Sequence, residues 1–160
     1  MIDPTSLPYR PCAGIMLINE DDKVFVGQRI DMPSEHWQMP QGGIDDGEDP
    51  FSAAKRELLE EIGTDKAELL LEMEDWVYYD LPDELIGKVW KGRYRGQKQR
   101  WFLFRFTGSD TDIDIETEHP EFSKWKWTEI KTLVPEIVPF KQDIYQKVVD
   151  RFEQFISDSK

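Results

Sequence analysis

The chain has a single cysteine, Cys12, so neither an intrachain disulfide framework nor a multi-cysteine zinc site is open to it. Its two histidines, His36 and His119, lie far apart in sequence, fit no metal-ligand spacing and are read as structural or solvated. No stretch approaches the roughly 20 apolar residues of a membrane span. The first residues, MIDPTSLPYRPC, place acid and proline where a leader would need a basic and then an apolar run. A cytoplasmic protein without membrane attachment is expected. Basic side chains are also scarce: 20 Lys and Arg stand against 33 Asp and Glu, a net charge of -13. Such a chain repels a polyanion, which argues against DNA groove binding. Hydrophobic residues make up 39% and aromatics 12%, enough for a real core and too much for a disordered tail. At 160 residues one domain, 1–160, is expected, with its core at about 8–156.

The charge is unevenly spread. Residues 88–105 (KVWKGRYRGQKQRWFLFR) hold 7 Lys and Arg and no acid. Taken alone, that segment reads as a solvated hairpin loop, and its charge by itself does not decide the matter. Residues 12–18 and 23–29 read as two strands joined by the turn residues Asn19-Glu20-Asp21-Asp22. A loop rich in proline and glycine, including Pro33, Pro40, Gly42, Gly43 and Gly47, runs from Ile30 to Asp49. Asp49 as N-cap, Pro50 at the first helical position and Gly63 as a left-handed stop predict a helix over 50–62. Ala54, Leu58 and Ile62 form its buried stripe. Runs at 67–79, 100–106 and 122–127 look strand-like, and 138–156 looks helical with Ile144, Val148, Phe152, Phe155 and Ile156 on one face. Strands alternating with two helices indicate an α/β fold, a mixed sheet covered by helices.

Within the first helix, Glu57, Glu60 and Glu61 stand at i, i+3 and i+4 and so project as neighbours. Three like charges repel, and they sit in the last turn, where the helix dipole already disfavours acids. Two local penalties at one place point to function. Clustered carboxylates without His or thiolate suit a hard divalent cation, Mg²⁺ or Mn²⁺. The glycine-rich turn before the helix lets backbone approach a ligand, and Arg56 can fix that loop or pair with a glutamate. A solvated acidic face is the plainer reading of the carboxylates alone.

The full pattern is Gly42, five residues, Glu48, seven residues, Arg56-Glu57, Leu58, one residue, Glu60-Glu61, one residue, Gly63. It resembles the Nudix box, the signature of hydrolases that cut a nucleoside diphosphate linked to another group. One position departs, Thr64 standing where an aliphatic residue is usual. Tyr9-Arg10-Pro11, Trp37-Gln38-Met39-Pro40-Gln41, Gly96–Leu103, Pro120-Glu121-Phe122 and Phe140-Lys141 extend the likeness over most of the chain. Together they resemble the bacterial RNA pyrophosphohydrolase and (di)nucleoside polyphosphate hydrolase branch.

The resemblance implies a Nudix-type α/β/α sandwich, its mixed sheet flanked by the box helix and a C-terminal helix. It implies that Glu57, Glu60, Glu61 and Glu121 ligate metal, with the Gly42 carbonyl nearby. Either Glu57 or Glu121 would take the water proton, and Arg56 would belong to the catalytic set. Arg10 and Phe140 would sandwich a base, and Arg29, Gln41, Lys98 and Lys141 would contact phosphates. Plainer readings stay open at three of these: Phe140 as core packing, Arg10 as surface, Glu121 as a solvated loop acid. The implied activity is Mg²⁺-dependent removal of pyrophosphate or phosphates from 5′-triphosphate RNA, which initiates mRNA decay. Asymmetric diadenosine tetraphosphate hydrolysis is the alternative. A non-catalytic nucleotide-binding module is the alternative of a different class; such modules lose box glutamates, and here all of them stand. Protein partners are not indicated.

Overall fold

Ten residues near the start of the chain form the strand on which the rest is built. In the computed structural model, which describes residues 3–30 and 35–160, the strands are β1 (Tyr9–Ile18), β2 (Val24–Arg29), β3 (Gln41–Gly43), β4 (Ala67–Glu72), β5 (Val77–Asp80), β6 (Gly96–Phe106) and β7 (Phe122–Thr128). The helices are α1 (Pro50–Ile62), the single turn α2 (Leu133–Glu136) and α3 (Gln142–Asp158). Pro33 lies outside the described residues. The main sheet runs β4-β6-β1-β2-β7, with β5 beside β6 and β3 beside β1. β1 and β6 pair in parallel from Tyr9↔Gly96 to Ile18↔Arg105, while the neighbouring pairings are antiparallel, so the sheet is mixed.

Side chains alternate across a strand, and β1 uses both faces. Ala13, Ile15 and Leu17 pack with Phe102, Phe104, Ala54, Leu58 and Ile62 beneath α1. Met16 and Ile18 pack with Trp101, Leu103, Ile144, Val148 and Phe152 beneath α3. The result is the expected sheet between two helical layers. α1 has the expected bounds because its signals are local. Asp49 accepts a hydrogen bond from the Ser52 N–H at 3.1 Å, and Gly63 turns left-handed at φ 76° to close the last turn onto Leu59. A side chain at that φ would be strained, which is why glycine ends the helix.

Three expectations change. The strand run at 67–79 is two strands, interrupted over residues 73–76. The C-terminal helix starts at Gln142, after a single 3-10 turn at Pro139–Lys141 that holds Phe140 and Lys141. The basic segment divides. Residues 88–95 are a turn-rich connection that leaves Lys88, Lys91 and Arg93 exposed, and 96–105 belong to β6 in the interior of the sheet. Three of its arginines face acids: Arg95 with Asp80 at 3.2 Å, Arg100 with Glu72 at 3.0 Å and Arg105 with Asp22 at 2.7 Å. Pairing brought from distant segments cancels charge that looked unopposed along the chain.

Candidate active site

The loop before α1 is held in place by backbone hydrogen bonds to the sheet. Ile15 N–H donates to the Pro40 carbonyl and Ile44 N–H to the Pro11 carbonyl, both at 3.0 Å. Met39 N–H donates to the buried Tyr145 hydroxyl at 2.9 Å, tying the same loop to α3. Gly42 therefore faces Ala13 across β3 and β1, directly beside the carboxyl end of Glu57.

Arg56 organises the acids. A guanidinium carries five donor hydrogens, and here all have acceptors. Its Nε and Nη2 donate to Glu48 at 2.8 Å each, and Nη2 also to the Gly43 carbonyl at 2.9 Å. Its Nη1 donates to Glu57 at 3.0 Å and to Glu60 at 3.1 Å. The hydrogen bonds from Arg56 hold the Glu48 carboxyl down at about 2. Arg56 lines neither cleft described below.

Glu57, Glu61 and Glu121 form a wall shared by two adjoining clefts of about 230 and 320 Å³. Glu61 is 3% exposed, and its Oε2 has no hydrogen-bond partner in the protein. Burial first, then the charges of Glu57 and Glu121, push its carboxyl well above the ordinary 4.5. Burial also raises Glu57, against the opposing pull of Arg56. Glu121 precedes β7, and its carbonyl accepts from the Ile30 N–H at 2.9 Å, which fixes that loop against the end of β2. An unpartnered buried carboxylate oxygen facing other carboxylates is the donor chemistry a hard cation satisfies. Among the described residues, no group of three or more His, Cys, Asp or Glu side chains stands close enough as placed to hold a metal ion. The donor chemistry of Glu61, Glu57 and Glu121 nevertheless fits a divalent cation. Glu60 lies on the second cleft with Leu59, Thr117, Glu118 and His119.

The first cleft gathers the cations. Arg10, Arg29 and Lys141 line it together with Gln41, Tyr79, Trp90 and Gln97. Arg10 and Phe140 each lie against another ring. The Arg10 guanidinium lies 5.6 Å from the Trp90 ring centroid, and the Phe140 ring packs 5.7 Å from Tyr79, outside the cleft lining. Trp90 reaches this place with φ 49°, a left-handed conformation costing a non-glycine residue about 1–2 kcal/mol. Lys98 needs correction. Side chains alternate along β6, so Lys98 leaves the cleft to Gln97 and sets its ammonium 4.7 Å from the Trp76 ring centroid on the other face. Trp90, Tyr79 and Gln97 were missed. The strand alternation over 96–106 could have flagged Gln97, but nothing local marks Trp90 or Tyr79.

Gly42→Ala separates folding from chemistry. A Cβ there would lie 2.1 Å from the Glu57 carboxyl carbon, the mobile end of a side chain, so the backbone need not move. The expected outcome is a melting temperature near wild type with kcat lowered about 10²-fold, the scale of a 1 Å misplacement. Parallel melting and initial-rate measurements check it, and undiminished kcat would refute the close-approach argument.

A family profile described as a NUDIX domain matches residues 8–148. The chain is 60% identical over 149 residues to an RNA pyrophosphohydrolase of Roseobacter denitrificans, covering 92% of this chain and 93% of that protein. It is 53% identical over 158 residues to an RNA pyrophosphohydrolase of Cereibacter sphaeroides strain KD131, covering 98% of each. Among solved structures, a C. elegans Ap4A hydrolase binary complex matches with TM-score 0.67 at 20% identity, over 92% of this chain and 98% of that one. The E. coli dihydroneopterin triphosphate pyrophosphohydrolase matches with TM-score 0.67 at 19% identity, over 90% and 99%. These structural likenesses are ones of fold.

Proposed function

The chain belongs to the Nudix family, and from that premise we propose that it is a Mg²⁺-dependent RNA pyrophosphohydrolase that converts 5′-triphosphate RNA ends to 5′-monophosphate ends. The observation that carries this reading is the shared wall of Glu57, Glu61 and Glu121 lining a cleft that also holds Arg10, Arg29 and Lys141. The 53–60% identity to proteins named RNA pyrophosphohydrolase supports the choice of substrate. No helix among the described residues is long and apolar enough to cross a membrane. The reading includes a cytoplasmic single-domain enzyme acting at the start of mRNA decay.

Glu57, Glu60, Glu61 and Glu121, with the Gly42 carbonyl beside them, would hold the metal. A bound divalent cation supplies neutralisation of phosphate oxygens and a water of lowered pKa. Glu57 or Glu121 takes the proton from the attacking water. Arg29, Gln41 and Lys141 hold phosphate oxygens so that attack is in line with the P–O–P bond that breaks. Arg10 and Trp90 offer a cation and an aromatic face to the first base, and every base can stack on such a face. Arg56 keeps Glu57 and Glu60 in register with the loop.

A short 5′-triphosphate RNA incubated with Mg²⁺ is expected to yield the monophosphate RNA, and excess chelator is expected to abolish turnover. No conversion of RNA together with cleavage of diadenosine tetraphosphate would replace this reading by that of a dinucleoside polyphosphate hydrolase. Full activity in chelator would overturn the metal dependence.

A further inference from the structure

Three alternate residues of β6 form a buried polar chain that ends in the cleft. Trp101, Gln99 and Gln97 are 0%, 2% and 1% exposed. The Trp101 Nε1–H donates to the Gln99 side-chain oxygen at 2.8 Å, and the Gln99 Nε2 donates to the Gln97 side-chain oxygen at 2.6 Å. The two ends of an amide are hard to tell apart by shape alone, but here the chemistry decides. An indole N–H can only donate, so the atom of Gln99 that meets it must be oxygen. The remaining atom of Gln99 is then NH₂ and can only donate, so the atom of Gln97 that meets it must also be oxygen. By elimination Gln97 turns its own NH₂ away from the chain. The indole that starts the chain cannot rotate. It lies on Gly14, where a Cβ would come within 2.3 Å of the ring, and it packs edge-on to Tyr145 with centroids 5.8 Å apart.

Gln97 lines the cleft, opposite Arg10 on β1 and Tyr79 on β5 in strand register. We infer that Gln97 is a substrate-binding hydrogen-bond donor to an acceptor oxygen of the nucleotide, and that Gln99 and Trp101 are positioning residues that fix this polarity. The acceptor is a phosphate oxygen or a base carbonyl. Arg29 and Lys141 offer positive charge in the same cleft, but the Gln97 amide adds a neutral donor of set direction, which discriminates by geometry and not by charge alone.

The inference rests on the proposed function for its substrate, so wild-type turnover of 5′-triphosphate RNA judges that function, and ratios between variants and wild type judge the inference. Should the wild type cleave only diadenosine tetraphosphate, the same ratios are read on that substrate. Gln97→Met is expected to raise KM about fivefold, the worth of one neutral hydrogen bond, with the loss on KM exceeding that on kcat. Gln99→Glu keeps the shape, and above the pH at which its buried carboxyl ionises it replaces the donor by a carboxylate oxygen, so Gln97 must turn its NH₂ inward and present oxygen to the substrate. It is expected to raise KM more than Gln97→Met does. Because Gln99 acts through Gln97, the double variant is expected to match Gln97→Met alone, an interaction that a packing defect would not produce. A KM increase that is equal for RNAs beginning with each of the four bases assigns the contact to phosphate, and one that varies with the base assigns it to the base edge. An unchanged KM for Gln97→Met overturns the donor role. Additive effects of the two substitutions overturn the relay. If Gln99→Glu does not fold, Trp101→Phe replaces it in the same cycle.

Discussion

Glu57→Gln is expected to lower kcat by about 10³-fold while leaving the protein folded. The substitution preserves shape, and an amide oxygen can still accept the Arg56 Nη1–H that Glu57 now accepts at 3.0 Å. What disappears is the charge, and with it both a proposed metal-ligand oxygen and a candidate acceptor for the water proton. Loss of a general base alone costs about 10²–10⁴-fold, and loss of a ligand adds to it. Folding should be unharmed, because burial already disfavours the ionised form of Glu57. Steady-state rates across a Mg²⁺ titration, with melting curves alongside, give the answer. Turnover within tenfold of wild type at saturating Mg²⁺ would remove Glu57 from the catalytic centre. A parallel Glu121→Gln variant identifies the base, since only loss of the true proton acceptor abolishes the acid limb of the kcat profile.

Arg56→Met is expected to reduce stability by about 3 kcal/mol, roughly 10 °C in melting temperature. Methionine keeps the length and apolar packing of the stem, so the loss isolates the guanidinium. Four acceptor groups, on Glu48, Glu57, Glu60 and the Gly43 carbonyl, lose their donor together. The effect has a definite pH signature. With its folded value near 2 and its ordinary value at 4.5, Glu48 contributes its full stabilisation above pH 4.5. Between 4.5 and about 2 the unfolded chain takes up the proton first, and the contribution is lost. The gap in stability between wild type and Arg56→Met should therefore narrow as pH falls through that window. Glu57 and Glu61 act in the opposite sense. Their raised folded values mean that the folded protein holds protons the unfolded chain has released, so their contribution falls as pH rises above 4.5. Denaturant titrations at several pH values measure both trends. A gap that stays constant from pH 6 to pH 2 would contradict the Arg56–Glu48 account.

Much of the site was legible because the box is local. The spacing of Glu57, Glu60 and Glu61 on a helix follows from 3.6 residues per turn, and Asp49, Pro50 and Gly63 mark the ends of that helix by backbone chemistry alone. The role of Arg56 was half legible: a contact with a glutamate could be expected, but the simultaneous grip on Glu48, Glu60 and the Gly43 carbonyl depends on how the loop returns to the sheet. Lys98 shows the opposite case. It carries the right charge in the right segment, and the one-residue alternation of a strand turns it to the other face and gives Gln97 its place in the cleft.

The basic segment separates the two kinds of information. Its charge of seven Lys and Arg without an acid is a property of the chain, yet Asp80, Glu72 and Asp22 reach Arg95, Arg100 and Arg105 only because β5, β4 and the β1–β2 turn lie beside β6. By itself the sequence determined the box helix, its caps and its buried stripe, all of which arise from contacts or periodicities a few residues apart. Tertiary structure alone decided which cations remain at the cleft, that Trp90 and not Phe140 lies against Arg10, and that a tryptophan buried beneath β1 sets the direction of a glutamine amide. Those outcomes rest on strand order and parallel register, which join residues about 90 positions apart and leave no periodic trace in either segment.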